Sequence, residues 1–423
     1  MRSGVKNLEY NPAEVNSGAV ERWMNRACSE RKRFFFEKPL QPSAYDLQKR
    51  PGVMVRIADD IRFLTRWFLN ILLAIKHFGA DIKREYRVSR VRQFSQMAEL
   101  LLKYRVMPSH YRTYKLFKEE NRMKAGRFIY FHTASQYYLS DKLYPEEMSL
   151  FVDKVQFNHY CKKHGFQSPE IVAQFGSKEK KDRETVRYNL PETDLFVKER
   201  FGMKGTGAML FRYGNGEYER EGRRFSPEEL TRYLTSLSSA GKELILQQRV
   251  RNGDSWKPFS SGALSTCRIV TMRRPYSYEI TPLAANIRLP ISTLEVDNTS
   301  AGGLVAPIDL ETGRIGVGSC INPYQGKFEF SVHPDTGKPI AGCYLPFWQE
   351  IRSFANELHK PARSPFIGWD VTVTEDGIMA IEGSLVWSGG LECVGGRALS
   401  ETEYPILYEE WLKVAEEKVT EPA

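Results

Sequence analysis

Two acidic residues carry the clearest chemistry in the chain. Gly368-Trp369-Asp370-Val371-Thr372-Val373-Thr374 and Ile378-Met379-Ala380-Ile381-Glu382 are strand-like runs joined by Glu375-Asp376-Gly377, a three-residue connection with glycine at its left-handed position. In that register Asp370 faces Glu382. Val371, Val373, Met379 and Ile381 then share one apolar face, while Asp370, Thr372, Ala380 and Glu382 share the other. Like charges about 5 Å apart on one face repel each other, so the pair calls for a cation. Carboxylate oxygens are the hard ligands that Mg²⁺ takes beside nucleotide phosphates. The competing reading is a hairpin shifted by one residue, with both carboxylates in water.

Upstream, Asp194-Leu195-Phe196-Val197-Lys198 leads into Gly202-Met203-Lys204-Gly205-Thr206-Gly207 and then the apolar run Ala208 to Tyr213. A strand ending in Lys198, a glycine-rich loop and a second strand make a flap whose backbone amides can close over phosphates while the lysine neutralises them. An ordinary flexible hairpin is the alternative. The loop lacks the GKS or GKT leading into a helix that a Walker A motif needs. Glu243 to Val250 reads as a buried strand leaving through Gln247-Gln248-Arg249-Val250, with Asp254 just beyond. Such an exit can offer backbone groups to an adenine edge and a carboxylate to a ribose, and equally it can be a simple strand end. The spacing shows no Ser-His-Asp or Cys-His constellation. The histidines, His333 included, read as structural, with a substrate contact open for His333.

The elements that must position these residues are strands. After about residue 150 the pattern is one of short β-branched and aromatic runs between glycine and proline turns, at Asp194 to Lys198, Ala208 to Tyr213, Glu243 to Val250, Cys267 to Met272, Tyr278 to Ala284, Gly368 to Thr374 and Ile378 to Glu382. This predicts an α+β fold with antiparallel sheets. The length of 423 residues suggests two or three domains. A mean hydropathy of -0.45 excludes a polytopic membrane protein. Cys28, Cys161, Cys267, Cys320, Cys343 and Cys393 have no metal-type spacing and read as free thiols in a reducing compartment. With no secretory signal in the first residues, the expected location is cytoplasmic.

The net charge of +9 is unevenly spread. Residues 1–130 hold 27 Lys/Arg against 13 Asp/Glu, a net of +14, leaving −5 for the rest. Such a segment seeks an anionic membrane face or a phosphate backbone. No RNA- or DNA-reading motif accompanies it, which disfavours nucleic acid. Ile61, Leu64, Phe68, Ile71, Ile75 and Phe78 draw one stripe along a helix. Over 61–78 the helix is too short to cross a bilayer of about 30 Å. It reads either as an interfacial helix on an anionic leaflet, peripheral to the inner face of the membrane, or as a helix packed on the rest of the protein or a second copy. Val91 to Tyr104, with Phe94, Met97, Leu100, Leu101 and Tyr104 in register, reads as a core helix.

Lys154, Lys198, the Gly202 to Gly207 loop, the Gln247 to Val250 exit, Thr266-Cys267-Arg268 and the Asp370/Glu382 hairpin stand in the order that ATP-grasp enzymes use. Over residues 130 to 400 the chain resembles the sugar-transfer-associated ATP-grasp proteins. The most specific pieces are Ser265 to Thr271, Val296-Asp297-Asn298-Thr299-Ser300-Ala301-Gly302-Gly303 with Asp309 to Gly313, and Gly368-Trp369-Asp370 through Glu382-Gly383. The resemblance implies two α+β lobes clasping a nucleotide. The division it suggests is a basic helical region at 1–130, a catalytic body at 131–400 and a C-terminal helix at 401–423. Within the body, 131–190 is a first subdomain, 191–255 the glycine-loop lobe and 256–400 the metal-binding lobe.

By the same resemblance, ATP and Mg²⁺ are the implied cofactors. Lys154 and Lys198 match phosphate-contacting lysines, Gly205 and Gly207 lie in the closing loop, and Gln247, Gln248 and Val250 form the adenine hinge. Asp254 stands where a ribose-binding acid is usual. Asp370 and Glu382 match the metal ligands. The usual third ligand, an asparagine, is here Ser384, a weaker and neutral donor. Arg268 and Arg288 match arginines facing the reacting phosphate or carboxylate, with a structural salt bridge as the alternative. Asp297 and Asn298 are candidates for the acceptor site or for a turn. The implied activity is carboxylate–amine ligation through an acyl phosphate, with a sugar carboxylate and an amine or amino acid as partners. A nucleotide-binding scaffold without turnover, or an amino-acid ligase unrelated to sugars, are the alternatives.

Overall fold

The computed structural model describes residues 53–104, 106–128, 139–176, 189–202, 207–239, 242–260, 262–277, 279–291, 302–385, 387 and 398–420. Among these, strands form two antiparallel sheets. The smaller has the order β1-β6-β2-β3-β4-β5 and contains β1 (Ile171–Phe175), β2 (Leu195–Glu199), β3 (Met209–Gly214), β4 (Glu217–Arg220), β5 (Arg223–Phe225) and β6 (Leu244–Gln248). The larger has the order β11-β10-β9-β8-β7-β12-β13. Its strands are β7 (Thr266–Arg273), β8 (Ile280–Leu289), β9 (Leu304–Ile308), β10 (Gly318–Tyr324), β11 (Lys327–Phe330), β12 (Phe366–Thr374) and β13 (Gly377–Ser384). The predicted α+β class with antiparallel pairing is what the chain adopts.

The strand runs that sequence picks out fall on β2, β3, β6, β7, β8, β12 and β13. β8 continues past the expected end at Ala284 to Leu289, because Asn286 and Arg288 break the apolar pattern without breaking the ladder: Arg268 pairs with Asn286, and Thr266 with Arg288. β12 lies between β7 and β13 and is buried on both faces. Trp369, Val371 and Val373 pack into the main core beneath a helix, Trp348–His359, that buries Trp348, Ile351, Ala355 and Leu358 on one stripe. Phe366, Val270 and Met272 pack instead with the helix Tyr404–Thr420.

The hairpin register holds at the acidic pair and then departs. Gly368 pairs with Ser384, Trp369 with Gly383 and Asp370 with Glu382, but a β-bulge follows, so that Val371 pairs with Ala380 and Thr374 with Gly377. The connection is therefore the two residues Glu375 and Asp376, and Gly377 itself ends the ladder at φ +117°. The extra residue moves Ala380 onto the buried apolar face and Met379 opposite Thr372. A bulge inserts one unpaired residue, and strict alternation gives no sign of it.

At the other end, α1 (Val53–Tyr86) and α2 (Arg90–Tyr104) pack on each other and on α3 (Pro108–Thr113), followed by α4 (Glu119–Met123). The buried stripe of α1 is Trp67, Ile71, Ala74, Phe78 and Ile82. Ile71 and Phe78 of the expected stripe are thus core and Ile75 is partly buried, but Phe68 is half exposed. Of the expected stripe, the side chains of Ile61 and Leu64 lie outside the described residues. The bundle docks on β11 through Phe328 and Glu329: Lys115 and Lys118 pair with Glu329 at 2.9 and 2.7 Å, and the Tyr86 hydroxyl donates to it at 3.1 Å. Part of the N-terminal basic charge is spent there. No described helix is long and apolar enough to cross a membrane.

Candidate functional site

Period-2 alternation across paired strands puts Arg268, Arg288, Asp370 and Glu382 on one face of the large sheet. Asp370 is buried, and Arg268 grips it with both arms of its guanidinium: Nε donates to Oδ1 and an Nη to Oδ2, each at 2.7 Å. An Nη of Arg288 donates to the same Oδ2 at 3.0 Å. Burial pushes the Asp370 pKa up, but the two guanidiniums outweigh it and hold the carboxyl below the ordinary range. The structural salt bridge that sequence left open for both arginines is present.

Glu382 stands opposite Asp370 on the neighbouring strand, partly exposed, with the Lys154 ammonium 3.6 Å from its carboxylate. Lys154 is the first residue of the helix Lys154–Lys163, whose N-cap Asp153 accepts from the Val155 amide. Arg200 holds Asp153 with two hydrogen bonds of 2.8 and 2.5 Å and reaches Glu243 at 3.2 Å, tying that helix start to the small sheet. The Lys154 ammonium also donates to the Gly202 carbonyl at 2.5 Å. One lysine therefore joins the glycine loop to the acidic hairpin.

Lys198 lies on β2 opposite Ile245, its ammonium 5.4 Å from the Phe196 ring. Where the loop returns, Gly207 adopts φ +72°, and a Cβ there would stand 2.8 Å from a Glu199 carboxylate oxygen. Only glycine suits that position. Gly205 lies outside the described residues, as do Asp297 and Asn298.

At the strand exit, Gln247 is buried on β6 and paired with Phe196, and Gln248 is paired with Leu195. Val250 is half-buried just beyond. Asp194 organises this edge by accepting from Arg249 and Arg251 at 3.0 and 2.6 Å and from the Tyr213 amide at 2.9 Å. Asp254 is brought to the tip of the β12–β13 hairpin, where its amide donates to Glu375, and its side chain is exposed and paired with Lys257. Four residues of β12 separate that tip from Asp370, roughly 17 Å of strand. His333 is buried and fixed by the Pro290 carbonyl, which suits a structural role.

Sequence reasoning passed over Asn286, Asp153, Arg200 and Asp194. Asn286 is buried beside Arg268, and its Oδ1 has no hydrogen-bond partner among the described residues. A polar residue within a strand run, two positions from a charged one, is the signal that marks it. For Asp153, the signal is an aspartate directly before a helix.

The donor set bears on a metal. No three His, Cys, Asp or Glu side chains form a cage among the described residues. Glu382, with the Ser384 hydroxyl two residues along β13, fits Mg²⁺, which is commonly held by one or two carboxylates with phosphate and water oxygens completing its shell; Asp370 joins them only when Arg268 and Arg288 release its oxygens, both of which they hold here. Counting Asp370 and Glu382 against Arg268, Arg288 and Lys154 leaves one positive charge in excess, which favours a polyanionic ligand over a free cation.

The profile of the sugar-transfer-associated ATP-grasp family matches residues 134–403, more than half of the chain. Curated proteins give no match. Among solved structures, the D-alanine–D-alanine ligase of Bacillus anthracis complexed with ATP is 11% identical with a TM-score of 0.35, over 64% of this chain and 68% of that one. An N5-carboxyaminoimidazole ribonucleotide synthetase in its ADP complex is 12% identical with a TM-score of 0.32, over 56% of this chain, and the chain spans only 45% of that protein. The biotin carboxylase domain of the Hydrogenobacter thermophilus 2-oxoglutarate carboxylase, with MgADP and bicarbonate, is 12% identical with a TM-score of 0.34, over 62% and 46%. At these TM-scores the likenesses carry no argument, and the assignment rests on the profile. The chain belongs to the sugar-transfer-associated ATP-grasp family.

Proposed function

We propose that the protein is an ATP-dependent carboxylate–amine ligase, and that its acid substrate is a sugar carboxylate of a polysaccharide or related glycoconjugate. The observation that carries the reading is Lys154, which donates to the glycine loop at Gly202 and stands beside Glu382, itself in register with Asp370. Three sequence-distant parts of a triphosphate site thereby converge. Catalysis of phosphoryl transfer is mainly positioning and charge neutralisation, which these residues supply without a protein nucleophile.

In this reading the backbone at Gln247, Gln248 and Val250 receives the adenine and Asp254 turns from Lys257 toward the ribose. Gly205 and Gly207 let the flap approach the phosphates, which Lys154 and Lys198 neutralise. Asp370, Glu382 and Ser384 would hold Mg²⁺, which when bound screens the triphosphate and draws charge from the γ-phosphoryl group. Arg268 and Arg288, which must first leave Asp370, present planar donors to the substrate carboxylate. That carboxylate attacks the γ-phosphorus, giving an acyl phosphate and ADP. The amine then attacks the acyl carbon and phosphate leaves. Asp297 and Asn298 are proposed to orient the acceptor. Glycan intermediates of this kind place the work at the inner face of a membrane.

The test is incubation of the protein with Mg-ATP, uronic acids and amino acids, with ADP and product mass as readouts. ADP release that requires both acid and amine, with an amide product, is expected. Turnover with amino acids alone would replace the sugar acid by an amino-acid ligase reading. Nucleotide binding without any turnover would favour the scaffold reading, to which Ser384 in place of a stronger ligand lends support.

A further inference from the structure

The helix α1 has a second apolar face. Its buried stripe, Trp67, Ile71, Ala74, Phe78 and Ile82, is packed into the helical bundle. At 100° per residue, Leu69, Leu72 and Leu73 fall on the opposite side and are exposed by 53, 45 and 49%, while Phe68, 48% exposed, lies at its edge with its ring 5.6 Å from that of Phe94. Lys76 and Lys83 continue the same outward side toward the helix end, Arg87 follows just past it, and all three are exposed. They form no ion pair among the described residues, unlike Arg84, which is taken by Asp81 and the Gly326 carbonyl. The outward side thus reads apolar for two turns and basic for the next three. The four apolar side chains leave on the order of 350 Å² in contact with water, within the range of a monomer's largest apolar patch, which is often functional.

We propose that this outward side of α1 is a docking surface for an anionic lipid bilayer. Apolar side chains flanked by lysine and arginine match a leaflet whose acyl boundary lies beneath negatively charged headgroups. The charge selects among occupants. A second copy seated on the same face would bring together two segments of net charge +14 each, which repel. The helix lies on the membrane, since no described helix is long and apolar enough to cross it. The bundle that carries α1 packs on β11, at the opposite edge of the sheet from the β12–β13 hairpin of Asp370 and Glu382, so the proposal holds or falls independently of the ligase reading.

The test uses the full chain, co-sedimented with phosphatidylcholine vesicles with and without 30% phosphatidylglycerol. Binding to the anionic vesicles alone, weakened by salt, is expected. Leu69→Ser/Leu72→Ser/Leu73→Ser should weaken it at least tenfold with the circular dichroism spectrum unchanged, and Lys76→Glu/Lys83→Glu/Arg87→Glu should do the same without touching apolar packing. The proposal is overturned if wild type ignores anionic vesicles, or if either triple variant binds them as wild type does. It is also overturned if the leucine variant instead abolishes a concentration-dependent dimer that forms in the absence of lipid.

Discussion

Neutralising the two acidic residues one at a time should give equal losses of turnover and very unequal losses of stability. Asp370 is buried and accepts three hydrogen bonds from two guanidiniums whose side chains are themselves only 12 and 16% exposed. Asp370→Asn removes the one negative charge between them and leaves two nearly buried cations uncompensated, a change that costs about 3–5 kcal/mol. Glu382 is 37% exposed and its single cation, Lys154, is 3.6 Å away, so Glu382→Gln should cost less than about 1 kcal/mol. Urea unfolding followed by tryptophan fluorescence measures the two stability losses, and acid- and amine-dependent ADP release measures the turnover. Both variants are expected to lose turnover by at least about a hundredfold, the loss typical of removing one charge-stabilising group. Equal unfolding midpoints for Asp370→Asn and wild type would refute the burial argument. Wild-type turnover in Glu382→Gln would refute its place in the site.

Lys154→Met removes the link between the glycine loop and the hairpin, and should weaken ATP binding at least tenfold in calorimetry while shifting the unfolding midpoint little; unchanged affinity would remove Lys154 from the site. Gly207→Ala places a methyl against Glu199 at positive φ, for about 1–2 kcal/mol of strain, and should raise the KM for ATP; an unaltered KM would mean the loop does not close on nucleotide. His359 is buried, which lowers its pKa to about 3, helped by the nearby Arg273 charge. Because the unfolded chain takes up a proton near pH 6.5 and the folded chain does not, its contribution is complete above pH 6.5 and is lost as the pH falls toward 3, by about 2 kcal/mol between pH 7 and 5. His359→Gln should flatten stability over that interval, and an unchanged slope would show that another group sets it.

What could be read without coordinates was whatever neighbours in the chain decide. The α+β class, the strands around Lys198 and Asp370, α2 and the Asp370/Glu382 pairing all follow from patterns a few residues long. The bulge after Asp370 escaped because one extra residue leaves the composition of both strands unchanged while reversing the faces beyond it. The apolar residues of α1 between Trp67 and Leu73 lie all round the helix, and only the position of the bundle chose Trp67, Ile71 and Phe78 for burial and left Phe68 and Leu72 outside.

The site itself was decided by tertiary structure. Arg268 and Arg288 reach Asp370 across 102 and 82 residues, and Lys154 meets Gly202 across 48 before turning to Glu382. No local periodicity encodes such contacts, because they depend on which strands become neighbours in the sheet and on a helix start held by Arg200 against Asp153. Residue types and order in the chain announced a phosphate-handling acid pair. The charge balance around that pair exists only once the two sheets are assembled.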